Sequence, residues 1–96
     1  MKPSVALEEK RMLIREVPSR FRVVNPRVFG SVVHGSDRDG SDLDLIVDVP
    51  PGTTLFDLGG LLIELEESLE VPVDVKTPGD LPPKFRQQVL AEARQV

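Results

Sequence analysis

Apolar residues recur along this chain at two periods, and the alternation between them predicts helices and strands in turn. Residues 5–17, VALEEKRMLIREV, carry Val5, Leu7, Met12, Leu13 and Val17 at roughly helical spacing. Ser4 stands where an N-cap belongs and Pro18 follows the last periodic residue, so a helix is expected there. Residues 21–24, FRVV, read as a short strand or the entry to one, broken by Asn25-Pro26. Arg27-Val28-Phe29 then reads as the end of a strand running into Gly30-Ser31, with a turn or single helical turn over residues 32–35. After a polar loop at residues 37–41, Leu43 to Val49 is the clearest strand, stopped by Pro50-Pro51-Gly52.

A helix is expected from about Leu55 to Leu69, with Thr53 or Thr54 as cap and Asp57 completing a weak capping box. Its stripe is Leu58, Leu61, Leu62, Leu65 and Leu69, with Glu64, Glu66, Glu67 and Glu70 largely off it. Gly59-Gly60 weakens that helix by roughly 1 kcal/mol per glycine relative to alanine, which suits either close packing against the sheet or room for a ligand or partner. Val71 to Val75 is a short strand, placed at an edge by Pro72. Residues 77–83 are a loop, and a last helix over Lys84 to Arg94 presents Phe85, Val89, Leu90 and Ala93 as its apolar face. Alternating helices and strands make an α/β sandwich, in one domain over residues 1–96.

Composition narrows the chemistry. There is no cysteine, which removes disulfides, thiolate nucleophiles and cysteine zinc sites. No apolar run approaches the roughly 20 residues that span a bilayer, and the first residues are charged rather than signal-like, so a cytoplasmic protein is expected. The net charge of −4 is uneven: residues 1–29 carry +4, residues 30–83 carry −10 and residues 84–96 carry +2. An acidic centre disfavours direct nucleic-acid binding there and suits divalent cations.

Within that centre, Gly30-Ser31 is followed after ten residues by Asp42-Leu43-Asp44. Positions i and i+2 of a strand share a face, with Cα atoms about 6.7 Å apart, so Asp42 and Asp44 can share Mg2+. Asp48 shares the face but lies about 13 Å from Asp44, outside that set. Mg2+ keeps waters and takes few protein carboxylates when substrate phosphates supply the rest, which implies a nucleoside triphosphate. Gly30 allows a phosphate to approach the backbone, and Ser31 adds a hydroxyl and an N–H. Asp74 is the candidate third carboxylate, able to ligate metal and to orient or deprotonate an attacking hydroxyl; pairing with Lys76 or solvent is the plainer alternative. His34, the only histidine, is either a surface residue or a contact to the nucleotide.

Phe29-Gly30-Ser31-Val32-Val33-His34-Gly35 and Ser41-Asp42-Leu43-Asp44-Leu45-Ile46-Val47 resemble the signature of the minimal nucleotidyltransferases of the DNA polymerase β superfamily. The resemblance runs on through the Leu-rich helix, Val73-Asp74-Val75 and Leu81-Pro82-Pro83, covering about residues 28–94. It implies a polymerase β-like fold, a small mixed sheet backed by helices. It implies Mg2+ and ATP, phosphate binding by Gly30 and Ser31, metal binding by Asp42 and Asp44, and Asp74 as third metal-binding carboxylate. Short chains of this family are typically antitoxins paired with a HEPN-domain toxin, which active members silence by transferring AMP to a tyrosine. His34 stands where many members have arginine, which replaces a fixed charge by a group mostly neutral at pH 7. A non-catalytic antitoxin acting by contact, and transfer to a small molecule, are the competing readings.

Overall fold

The computed structural model describes residues 1–96. Helix α1 (Pro3–Glu9) and helix α2 (Arg11–Glu16) lead through a 3-10 turn (Val17–Phe21) into strand β1 (Val24–Phe29). Helix α3 (Ser31–His34), strand β2 (Leu43–Asp48), helix α4 (Leu55–Leu69) and strand β3 (Val73–Lys76) follow. A second 3-10 turn (Pro78–Asp80), helix α5 (Pro83–Glu92) and the two-residue strand β4 (Arg94–Gln95) complete the chain. The sheet order is β3-β2-β1-β4. β2 and β3 run parallel, while β1 is antiparallel to both β2 and β4, so the sheet is mixed as expected.

Strand alternation sorts the two faces of the sheet. Leu43, Leu45 and Val47 of β2, Val28 of β1 and Val73 of β3 turn to one face. There they join Leu61, Leu65 and Leu69 of α4 and Ala6, Leu7, Ile14 and Val17 of the N-terminal segment in one buried cluster. Asp44, Ile46 and Asp48 turn to the other face. Burying the leucines of α4 in this core is the main force that holds the helix layer to the sheet.

α4 has the expected bounds and cap. The Thr54 hydroxyl accepts from the Asp57 N–H at 3.2 Å, and the Asp57 carboxylate accepts from the Thr54 N–H at 2.9 Å. The two glycines of this helix separate in role. A Cβ on Gly60 would lie 2.8 Å from the Phe21 ring, so Gly60 admits that aromatic. A Cβ on Gly59 would meet nothing within 4 Å.

Other expectations needed correction. The N-terminal helix breaks at Lys10, whose ammonium donates to the Ser68 carbonyl at 2.7 Å and so satisfies one carbonyl near the end of α4. Its buried residues are Pro3, Ala6 and Leu7 in α1, Ile14 in α2 and Val17 at the start of the 3-10 turn, while Val5 and Met12 are exposed. Ser4 does not cap it: Pro3 occupies N1, and the Ser4 N–H donates to Asp37 Oδ2 at 2.9 Å. Asn25-Pro26 does not end a strand but lies inside β1, where a bulge between Val24 and Arg27 absorbs the extra residue and Asn25 takes a φ of 56°. Phe21 belongs to the 3-10 turn, and Arg94 leaves the last helix to pair in β4 with Val28. α5 buries none of its residues, so its apolar positions are not a core face.

Candidate active site

The candidate residues meet at the head of β2, where the end of β1 and the start of β3 lie on either side. Register does this: Phe29 is opposite Asp44 across the antiparallel pair, and Asp44 is level with Asp74 across the parallel pair. Asp44 and Asp74, at matching positions of neighbouring strands, therefore project from the same face. Asp42 precedes the first residue of β2 and is exposed.

Gly30 joins β1 to α3 with φ 73° and ψ −142°, a conformation open to glycine and costly to residues with a side chain. The carboxylate of Asp44 fills the space a side chain would need: a Cβ at position 30 would stand 2.3 Å from Asp44 Oδ2. The glycine-serine turn and the second aspartate are therefore in direct apposition, though twelve residues separate Ser31 from Asp44 in sequence. Ser31 opens the helical turn of α3, and the His34 N–H closes it onto the Gly30 carbonyl at 3.1 Å.

The electrostatics match the crowding. Asp44 has its pKa pushed up to about 6, first by burial and then by the charges of Asp74 and Asp42, with Lys76 opposing. Lys76 Nζ lies 3.3 Å from Asp74 Oδ2, so the lysine weighed as an alternative partner for Asp74 does contact it. As placed, no three acidic or histidine side chains close into a ready-made metal cage. The donor set nonetheless fits Mg2+: it is all oxygen, with one carboxylate seated over a glycine and destabilised by its negative neighbours. Mg2+ needs only one or two such groups when phosphate oxygens complete its shell.

The other polar groups lie away from this cluster. Asp48, at the far end of β2, accepts from Arg27 at 2.6 Å and from Asn25 at 2.9 Å, consistent with its exclusion from the set. His34 is paired across 58 positions with Glu92 of α5 at 2.8 Å, and that contact, followed by Gln88, holds the Glu92 carboxyl below its usual range. No spacing signal in the sequence indicates this pair. The two cavities, of about 260 and 380 Å3, are lined by neither Gly30 nor any of the three carboxylates. The candidate site is an open surface.

A glycine-serine turn apposed to carboxylates on adjacent strand ends of a small mixed sheet defines a nucleotidyltransferase type of centre. The chain belongs to the nucleotidyltransferase domain family, whose pattern it matches over residues 10–96. Among its relatives is a Methanocaldococcus jannaschii chain that carries the name of a protein adenylyltransferase, MJ0435; it is 35% identical over 86 residues, covering 90% of this chain and 91% of that one. A solved structure described as a minimal nucleotidyltransferase superposes with a TM-score of 0.86 at 40% identity, over 100% of this chain and 97% of that one. A toxin–antitoxin solved with AMP-PNP has a TM-score of 0.65 at 18% identity, over 96% of this chain and 70% of that one. The toxin–antitoxin MntA-HpeT gives 0.68 at 18% identity, over 91% of this chain and 70% of that one. At that identity these last two speak to the fold.

Proposed function

We propose that the chain is a Mg2+-dependent protein adenylyltransferase that transfers AMP from ATP to a hydroxyl, on a tyrosine, of a partner HEPN-domain toxin, and so acts as its antitoxin. The observation that carries this reading is the seating of Asp44 over Gly30, level with Asp74. The naming of the archaeal relative supports protein as the acceptor, and the toxin–antitoxin neighbours support the partner. The open site supports it too: a small acceptor needs an enclosing cleft, whereas a protein brings its own wall.

The chain's residues divide the work. Asp42 and Asp44 would hold Mg2+, with Asp74 as a further ligand. Mg2+ supplies neutralisation of phosphate charge and, through it, a better pyrophosphate leaving group. Gly30 admits the phosphate chain to the backbone, and Ser31 steadies it by its hydroxyl and N–H. Asp74 orients the acceptor hydroxyl and takes its proton as the oxygen attacks the α-phosphorus. Catalysis is mainly positioning and charge compensation, as in phosphoryl transfer generally.

The test is label transfer from α-labelled ATP with Mg2+ to a co-purified toxin partner. Label on the partner, lost in Asp42→Asn and in Asp44→Asn with the fold intact, is the expected result. Full transfer by either variant would overturn the site assignment. Neutralisation of the partner without ATP, unaffected by Asp42→Asn, would instead establish an antitoxin that acts by contact.

A further inference from the structure

The outward side of α4 is apolar at one end and acidic at the other. Leu55, Gly59 and Ile63 are spaced four apart and Phe56 adjoins them, which puts all four on one arc of the helix. Leu55 is 84% exposed, Phe56 92% and Ile63 59%, so none of them serves the core. Glu66, Glu67 and Glu70 continue the same arc toward the C-terminal end, and α4 contains no basic residue. Gly59 sits in the middle of the apolar half. Gly60 is explained by the Phe21 ring, but nothing within the chain explains Gly59, a residue that weakens a helix and here faces open space.

We propose that this face is a self-association surface, at which two copies of the chain pair their α4 helices antiparallel about a two-fold axis at Gly59. Leu55 and Ile63 stand at equal distances on either side of Gly59. Large apolar residues stand three and four positions before Gly59 and four after it, so an antiparallel mate places Leu55 of each copy opposite Ile63 of the other. A two-fold interface demands this self-complementarity. Glycine at the crossing lets the axes approach to the short end of the ~8–10 Å range of helix packing.

Charge selects the same direction. The N-terminal end of α4 lies beside the residue that ends the 3-10 turn: the Thr53 hydroxyl donates to the Arg22 carbonyl. That end carries Arg22 and the positive pole of the helix. An antiparallel mate brings its Glu67 to this end, whereas a parallel mate would set acid beside acid. α4 covers the core face of the sheet and Asp44 projects from the other, so pairing leaves both carboxylate clusters free. Three side chains per copy make a small interface, below the ~1,200 Å2 of a standard stable complex, so the dimer is a weak, reversible one.

Sedimentation velocity of the full chain from about 10 µM to about 1 mM tests this, because a weak dimer dissociates within that range. The expected result is a monomer–dimer equilibrium that Phe56→Ser weakens by about tenfold or more. Gly59→Leu is expected to do the same while the thermal midpoint stays level or rises, since its side chain meets open space in the monomer. Glu67→Lys and added salt are expected to weaken pairing as well. A monomer at every concentration, or a dimer indifferent to Phe56→Ser and Gly59→Leu, would overturn the proposal. So would a monomer whose Phe56→Ser variant loses a different protein partner, which would assign the face to that partner.

Discussion

At the scale of single residues, Asp44 carries a conflict between stability and function. Its folded pKa of about 6 lies above the ordinary 3.8, so the folded state holds the extra proton between those values. Folding stability contributed at this site is therefore undiminished below about pH 4, falls as pH rises toward 6, and stays reduced above it. Asp44→Asn removes that cost. Because Asp44 is half-exposed, screening discounts the gain to about 1 kcal/mol at pH 7.5, with none at pH 4. Urea unfolding of both proteins at the two pH values checks this; an equal difference at both pH values would contradict it. Gly30→Ala should fail differently. Its Cβ meets Asp44 Oδ2 at 2.3 Å and its φ is 73°, so a loss of about 1–3 kcal/mol and of AMP transfer together is expected, from unfolding and label-transfer measurements. Asp42, Asp44 and Gly30 were legible in the sequence because chemistry at fixed short spacing survives without knowledge of the fold. The His34–Glu92 pair was not, because the turn of the chain that joins them is set by how α5 returns to the sheet.

At the scale of elements, α4 shows how far periodicity reaches. Its bounds, Thr54–Asp57 box and leucine stripe follow from local rules that the core then reinforces. The glycine pair in it divides only once the neighbours are known. Gly60→Ala should cost about 1–3 kcal/mol by driving into Phe21, while Gly59→Ala should gain about 1 kcal/mol of helix propensity; thermal unfolding of the two variants compares them directly. β1 illustrates the opposite case. Asn25-Pro26 reads as a strand breaker, and in isolation it would be one. A bulge accommodates it, and the Pro26 carbonyl accepts from Val96 at 3.3 Å beside β4. β4 itself is two residues long, too short to leave any periodic trace, and it forms because the β1 edge offers unpaired backbone groups.

At the scale of the whole molecule, the fold is a thin slab of 35 × 32 × 18 Å, a sheet with one well-buried face. No helix is long and apolar enough to cross a membrane. A domain this small has little stability in reserve, so ligand binding should register strongly. Mg2+ with ATP at ~100 times its Kd should add about 2.7 kcal/mol. For a domain of this size that raises the thermal midpoint by roughly 10 °C or more, and Asp44→Asn should abolish the rise. A midpoint unmoved by Mg2+ and ATP in the unsubstituted protein would count against the nucleotide site. The sequence by itself determined the class of the fold, the strand that carries Asp44, the helix α4 and the kind of chemistry, because these rest on spacing within a few residues and on charge. The tertiary structure alone decided that Asp44 sits on Gly30 and beside Asp74, that Lys76 shares Asp74, and that Gly60 is filled while Gly59 is bare. Those facts depend on strand register and on which elements meet, and both are set by burial of the whole core rather than by any segment of it.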